Sequence, residues 1–184
     1  MGLFDFIGPI IGGPTAPKLP GSPRLPFPPK LPGSSPDILI KSSRIESLAG
    51  NPVPGTPVYC NLAVVAEHTG IYIGDDKIVH LNGDGHIEIV SPREFVSRLD
   101  GLNPAVSIYC ASRNGKALGK NIIANRARSM VGSTRNYQVV FDNCHQFTCG
   151  CISGDFENPC NFFWMVETEI RDKFGSFTWA EWDY

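Results

Sequence analysis

From about residue 37 onward, apolar and polar positions fall into short runs separated by Gly, Asp, Asn and Pro, which is the pattern of a β-rich domain. Residues 37–40 read as a first strand, and 51–57, with prolines at 52, 54 and 57, as a turn region. Strands are predicted over 58–66, 69–73, 78–81 and 87–90, together an antiparallel sheet. Gly-Asp-Asp at 74–76 and Asn-Gly-Asp-Gly at 82–85 supply hairpin turns, since these residues tolerate left-handed backbone. Ser91, Pro92 and Glu94 form a capping signature for a helix running to about 99. A strand over 105–110, a helix over 116–130 stopped by Gly132, and a short strand over 137–141 come next. Asp142 or Asn143 then caps a helix from Cys144 to about Ile152. Residues 161–173 read as a final amphipathic helix. Phe177, Trp179, Trp182 and Tyr184 form an aromatic tail, read as a flap on the core rather than a ligand box.

The first 36 residues break this pattern. Residues 13–36 are dense in Pro, Gly and Ser, cannot build a helix or a central strand, and read as an extended linker. It serves as a plain tail or as a ligand for an aromatic proline-binding groove. Ahead of it, Leu3, Phe4, Phe6, Ile7, Ile10 and Ile11 approach helical spacing around Pro9. Residues 1–12 are either a frayed terminus or a contact for a membrane surface or a partner groove. Gly2 does not signal myristoylation, because Phe6 stands where Ser or Thr is required.

Composition narrows the function classes. With 184 residues, 42% hydrophobic and 10% aromatic, the chain is expected to form one domain plus appendages. A net charge of −2 with scattered Lys and Arg lacks the footprint of a nucleic-acid binder. No run approaches a spanning helix, and the N-terminal stretch carries Asp5 and no preceding base, a poor secretory signal. Six cysteines are too sparse for a disulfide scaffold, although an even count leaves oxidation open. A cytoplasmic protein in reducing surroundings is expected, with residues 1–12 as its peripheral membrane contact if they have one. No cofactor is expected.

The candidate chemistry lies in two segments. In EHTGIYIGDDKIVHL, His68 and His80 stand on the two arms of a hairpin. A three-residue loop over 74–76 would pair Gly70 with His80 and put both histidines on one face; a two-residue loop over 75–76 would send them to opposite faces. In FDNCHQFTCGC, Cys144 follows the expected N-cap, where a helix dipole lowers a thiol pKa. Asn143 and the first backbone amides could hold an oxyanion. Cys144 is thus the candidate nucleophile, His68 the base that takes its proton, and His80 the group that orients that base. Cys60, Cys110, Cys149, Cys151 and Cys160 read as core residues, and His86 and His145 have no partner suggested by spacing. Cys144, His145, Cys149, Cys151 and Cys160 could also be a zinc set, but lack paired Cys-x-x-Cys spacing.

These segments resemble the lecithin:retinol acyltransferase-like (LRAT domain, H-box/NC) proteins of the NlpC-type permuted papain-like superfamily. His68-Thr69-Gly70-Ile71-Tyr72-Ile73-Gly74-Asp75 with Val79-His80-Leu81 is similar to the H-box. Tyr137 followed by Asn143-Cys144-His145-Gln146-Phe147 resembles the second motif, with His145-Gln146 in place of its usual Glu-His. The likeness covers roughly 57–155, inside a catalytic domain expected over 37–165. It implies an α+β fold, an antiparallel sheet packed against helices in circularly permuted papain-like order. It further implies a Cys144 acyl-thioester drawn from a phospholipid-like ester and passed to an amine, alcohol or water, with Tyr72 and Asn143 in support. Two alternatives stand beside it: an amidase or peptidase using the same residues, and an interaction module without activity. Oligomeric state is left open.

Overall fold

The computed structural model describes residues 46–61, 67–97, 107–135 and 143–184. The N-terminal anchor and linker, the strands expected at 37–40 and 137–141, and part of the one expected at 58–66 lie outside them. The elements in chain order are β1 (Glu46–Ser47), β2 (Thr56–Asn61), β3 (Glu67–Gly74), β4 (Lys77–Leu81), β5 (Ile87–Val90) and α1 (Pro92–Val96). They continue with β6 (Ile108–Arg113), β7 (Lys116–Ala117), α2 (Asn121–Ser129), α3 (Cys144–Ser153), α4 (Phe163–Phe174) and β8 (Thr178–Trp182).

The strands form one mixed sheet in the order β1-β8-β6-β2-β3-β4-β5, with β7 attached to β6. Every pairing is antiparallel except β1 with β8. Helices and sheet are segregated as in an α+β protein. The expectation of a purely antiparallel sheet is corrected at this edge. The aromatic segment near the C-terminus is also no flap: β8 is a strand bonded to β6 from Ile108↔Trp182 to Ser112↔Thr178. The helix expected over 116–130 is split, because Asn114 and Gly115 adopt positive φ (53° and 71°) and turn the chain into β7 before α2 begins. An Asn-Gly pair between β-formers is a strong hairpin signal, and helical composition beyond it masked the turn.

Alternation along the strands divides the core into two layers. Ile71, Ile73, Val79 and Leu81 point toward α2, α3 and α4, joining Ile123, Phe147, Ile152, Val166 and Ile170. Tyr72, Ile78, Val58 and Cys110 point the other way, against Phe95 and Val96 of α1 and Trp182. The capping box of α1 is formed as the sequence predicts, Ser91 and Glu94 bonding each other's backbone. No helix among the described residues is long and apolar enough to cross a membrane.

Candidate active site

The β3–β4 hairpin decides where the histidines go. Asp75 and Asp76, at φ 51° and 50°, form a two-residue turn that closes Gly74 on Lys77. By itself this turn would separate the histidines. The register then shifts between Tyr72 and Gly74, so that Ile73 is an extra residue on β3. Beyond this bulge Tyr72 faces Ile78 and Ile71 faces Val79, and one further step brings Gly70 opposite His80. The odd parity that the pairing requires is therefore present, made by a bulge rather than by a three-residue loop.

His68 and His80 meet as a result. Their Nε2 and Nδ1 atoms are 2.6 Å apart, with the rings perpendicular at 4.8 Å between centroids and both lying against Phe95. On its other side His80 Nε2 is 3.5 Å from the carboxylate of Glu88, its register partner on β5. Asn82 Nδ2 donates to that same carboxylate at 2.8 Å. The chain His68–His80–Glu88–Asn82 thus spans three strands, β3, β4 and β5. Glu88 escaped notice in the sequence, although it is the one charged residue of the apolar run 87–90, opposite His80 by hairpin register.

Cys144 is the first residue of α3, as expected, with Asn143 as its N-cap. Asn143 Oδ1 accepts from the amides of His145 (2.9 Å) and Gln146 (3.2 Å), and its Nδ2 donates to the Asn161 carbonyl at 2.9 Å. These bonds make it a cap and a tie to the next loop. The sulfur lies over the start of β3, 4.0 Å from the Glu67 carbonyl, and 3.8 Å from Nδ1 of His145. Thr69 Oγ1 is 3.2 Å from that nitrogen and accepts from Thr148 Oγ1 at 3.1 Å. His145, which spacing alone left without a partner, is thus an imidazole beside the thiol.

Successive residues of a strand point to opposite faces. Thr69 faces α3 and the thiol, while the His68 ring faces Phe95 and His80. The structure therefore brings together His68, His80 and Glu88 on one face of β3 and Thr69 and His145 on the other, with the Cys144 sulfur at the strand edge against the Glu67 carbonyl. Cys144 remains close enough to the first face to raise the pKa of Cys60, the register partner of His68. Tyr72 is not at the sulfur. Four residues along β3 from His68, its ring packs on Trp182 and its hydroxyl accepts from the Asp76 amide at 3.4 Å, so it buttresses the hairpin turn.

The electrostatics also correct an expectation. Burial raises the Cys144 thiol pKa, and hydrogen bonds from the Thr69 amide, the Thr69 hydroxyl, and the amides of Cys144 and His145 offset this only in part. Desolvation outweighs the helix N-terminus because the residue is 5% exposed. Burial pushes His145 down to about 4, so thiol and imidazole rest as a neutral pair. Among the other free thiols, Cys60 is pushed up to about 12 and Cys110 and Cys151 are raised further by burial, none with comparable donors. Cys149 and Cys160 are not isolated core thiols: they form a disulfide that joins α3 to the loop before α4. Among the described residues no group of three or more His, Cys, Asp or Glu could hold a metal ion.

Together these features define an α+β protein with a buried thiol at a helix N-terminus and imidazoles on both faces of the adjoining strand. The family model of lecithin retinol acyltransferase matches residues 51–157, more than half of the chain, and the chain belongs to that family. Membership carries acyltransferase-type activity in general terms. No curated protein matches the chain.

Proposed function

We propose that the protein is a thiol-dependent acyltransferase or lipid hydrolase of permuted papain-like type, with Cys144 as nucleophile. Cys144 attacks an ester carbonyl, forms an acyl-thioester, and yields the acyl group to an amine, an alcohol or water. The observation that carries this reading is the placement of the Cys144 sulfur at the N-terminus of α3, where backbone amides and the Thr69 hydroxyl act against the pKa rise that burial imposes. Such donors favour negative charge at that point, on the thiolate or on an oxyanion formed beside it. His68 is the general base, oriented by His80 and, through it, by Glu88. With the His68 Nε2 proton given to His80 Nδ1, the basic nitrogen of His68 is Nδ1.

An apolar donor is supported by the surface beside the site. Asn161, bonded to the N-cap, leads into Phe162 and Trp164, which are 57% and 60% exposed. Two exposed aromatics directly after the loop tied to the Asn143 cap suit a lipid ester better than a polar amide. Incubation with short-chain phosphatidylcholine is expected to give an acyl adduct on Cys144 by mass spectrometry, abolished in Cys144→Ala. An adduct on another cysteine, or full activity in the mutant, would refute the assignment. Turnover of peptide amides in preference to lipid esters would turn the reading to an amidase using the same residues.

The burial that raises the thiol pKa favours a second reading, an interaction module without catalysis. Iodoacetamide separates the two. Reaction of Cys144 no faster than free cysteine at neutral pH would support the module.

A further inference from the structure

We propose that the Cys149–Cys160 disulfide is a redox lock on the thiol site, which holds the site competent when oxidised and loosens it when a dithiol reduces it. The proposal rests on Cys144 being the nucleophile. Its basis is the short path from the disulfide to that residue. Cys149 lies in the middle of α3 and Cys160 in the loop before α4. The next residue of that loop, Asn161, accepts through its carbonyl from Nδ2 of Asn143, the N-cap that Cys144 follows.

The two ends of the loop are anchored differently. Its start is fixed without the disulfide: Phe156 packs into the notch at Gly150, where a Cβ would come within 2.5 Å of the ring, and its carbonyl accepts from Arg135 at 2.9 Å. In Asn158-Pro159-Cys160-Asn161, by contrast, Pro159 is exposed and Cys160 is the side chain that joins the core. The rest of the hold is hydrogen bonds, Asn158 with Gln146 and Asn161 with Asn143. These are exchanged for bonds to water once the segment lifts, so their net contribution is small and the covalent link keeps Asn161 in place. Asn143 in turn fixes the first turn of α3, its Oδ1 holding the amides of His145 and Gln146. That turn presents the Cys144 and His145 amides to the sulfur. Without Asn161 the Asn143 side chain regains rotamer freedom and the cap weakens.

A dithiol has an approach. Cys160 is part of the wall of a surface cavity of about 170 Å3, with Pro159, Trp164, Met165 and Thr168, whereas Cys149 is fully buried. One thiolate of the dithiol bonds to the Cys160 sulfur, the Cys149–Cys160 bond breaks, and Cys149 leaves as a thiolate and takes a proton. The second thiolate then bonds to the dithiol's own sulfur in this mixed disulfide, and Cys160 leaves and is protonated. Two electrons pass from the dithiol, which becomes an intramolecular disulfide, to the two cysteines, and its two protons end on them.

The test uses the full chain, with dithiothreitol as reductant, removed by gel filtration before assay. Iodoacetamide labelling of Cys144, resolved by mass spectrometry, and turnover of a chromogenic short-chain ester are the readouts. Reduction is expected to slow both about fivefold, the factor that a lost N-cap carries, and oxidised glutathione to restore them. The double substitution Cys149→Ser and Cys160→Ser is expected to stay at the reduced rate with and without reductant. Asn143→Ser keeps a capping oxygen but is too short to reach the Asn161 carbonyl. It is expected to abolish the redox response while the disulfide still forms, which a general loss of stability would not do. Should the double variant fail to fold by circular dichroism, reduction of wild type and Asn143→Ser decide the matter. Equal or faster rates in reduced wild type, or a redox response that survives in Asn143→Ser, would overturn the lock and leave a reactive Cys144 as nucleophile. A Cys144 no more reactive than free cysteine in the oxidised protein would bring down the nucleophile reading, and the lock with it.

Discussion

At the scale of residues, the protein buries two imidazoles, His80 and His145, under different constraints. His80 is fully buried yet has a neighbouring ring on one side and a carboxylate on the other, whereas His145 has only a hydroxyl and a thiol. Desolvation therefore dominates at His145, and the effect is visible in stability. The folded protein binds this proton only below about pH 4, while the unfolded chain binds it from its ordinary value of 6.5. In that window the unfolded state carries the extra proton, so the contribution is complete above 6.5 and lost as pH falls toward 4. The gap corresponds to about 3 kcal/mol. Urea denaturation is expected to show this loss between neutral pH and pH 4 in wild type, and His145→Asn to flatten that part of the profile. An identical profile in the mutant would show that the ring is not desolvated. The composition of FDNCHQFTCGC marks Cys144 but not His145, since the contact depends on Thr69, 76 residues away in sequence.

At the scale of elements, the β3–β4 hairpin does most of the positioning. The Asp75-Asp76 turn and the Ile73 bulge together give the parity that joins the histidines. Gly70 explains itself here: a Cβ at this position would come within 2.9 Å of both Ile78 Cγ2 and the Val79 carbonyl, and 3.1 Å from Phe95. Phe95 is the residue on which both histidine rings rest. Gly70→Ala is expected to destabilise the domain by about 1–3 kcal/mol in denaturant titration and to disturb the histidine pair, seen as shifted imidazole resonances. A fully stable variant with unshifted resonances would mean that the hairpin accommodates the methyl. The turn residues of this hairpin were legible because Gly and Asp announce left-handed backbone. The bulge was not, since Ile73 is an ordinary strand residue whose displacement follows from fitting two faces to two different cores.

At the scale of the whole molecule, α3 is tied to the loop that follows it. The Cys149–Cys160 disulfide, the Gln146 Nε2 bond to the Asn158 carbonyl (2.6 Å), the return bond from Asn158 Nδ2 to the Gln146 carbonyl (3.0 Å) and the Asn143–Asn161 bond hold residues 158–161 against α3. Gln146 thus has a place in this fold as a stitch between α3 and the loop. Closing a loop with a sequence separation of 11 is worth about 3 kcal/mol in the chain-entropy view. Reduction, or the double substitution Cys149→Ser and Cys160→Ser, is expected to lower the unfolding free energy by up to that amount, measured by denaturant titration with and without reductant. No change on reduction would show that the sulfurs are not bonded in solution.

The sequence by itself determined the α+β class, the extents of β4, β5, α1, α3 and α4 to within a few residues, the cap at Asn143, Cys144 at the start of α3, and His68 and His80 on adjoining strands. Each of these rests on local chemistry: alternation, turn residues, capping side chains and motif spacing. Tertiary structure alone decided that β8 is a strand of the sheet, that Cys149 meets Cys160, that Glu88 backs His80, and that His145 lies beside the sulfur. These depend on which face of a strand meets which helix, and a one-residue bulge is enough to reverse a face.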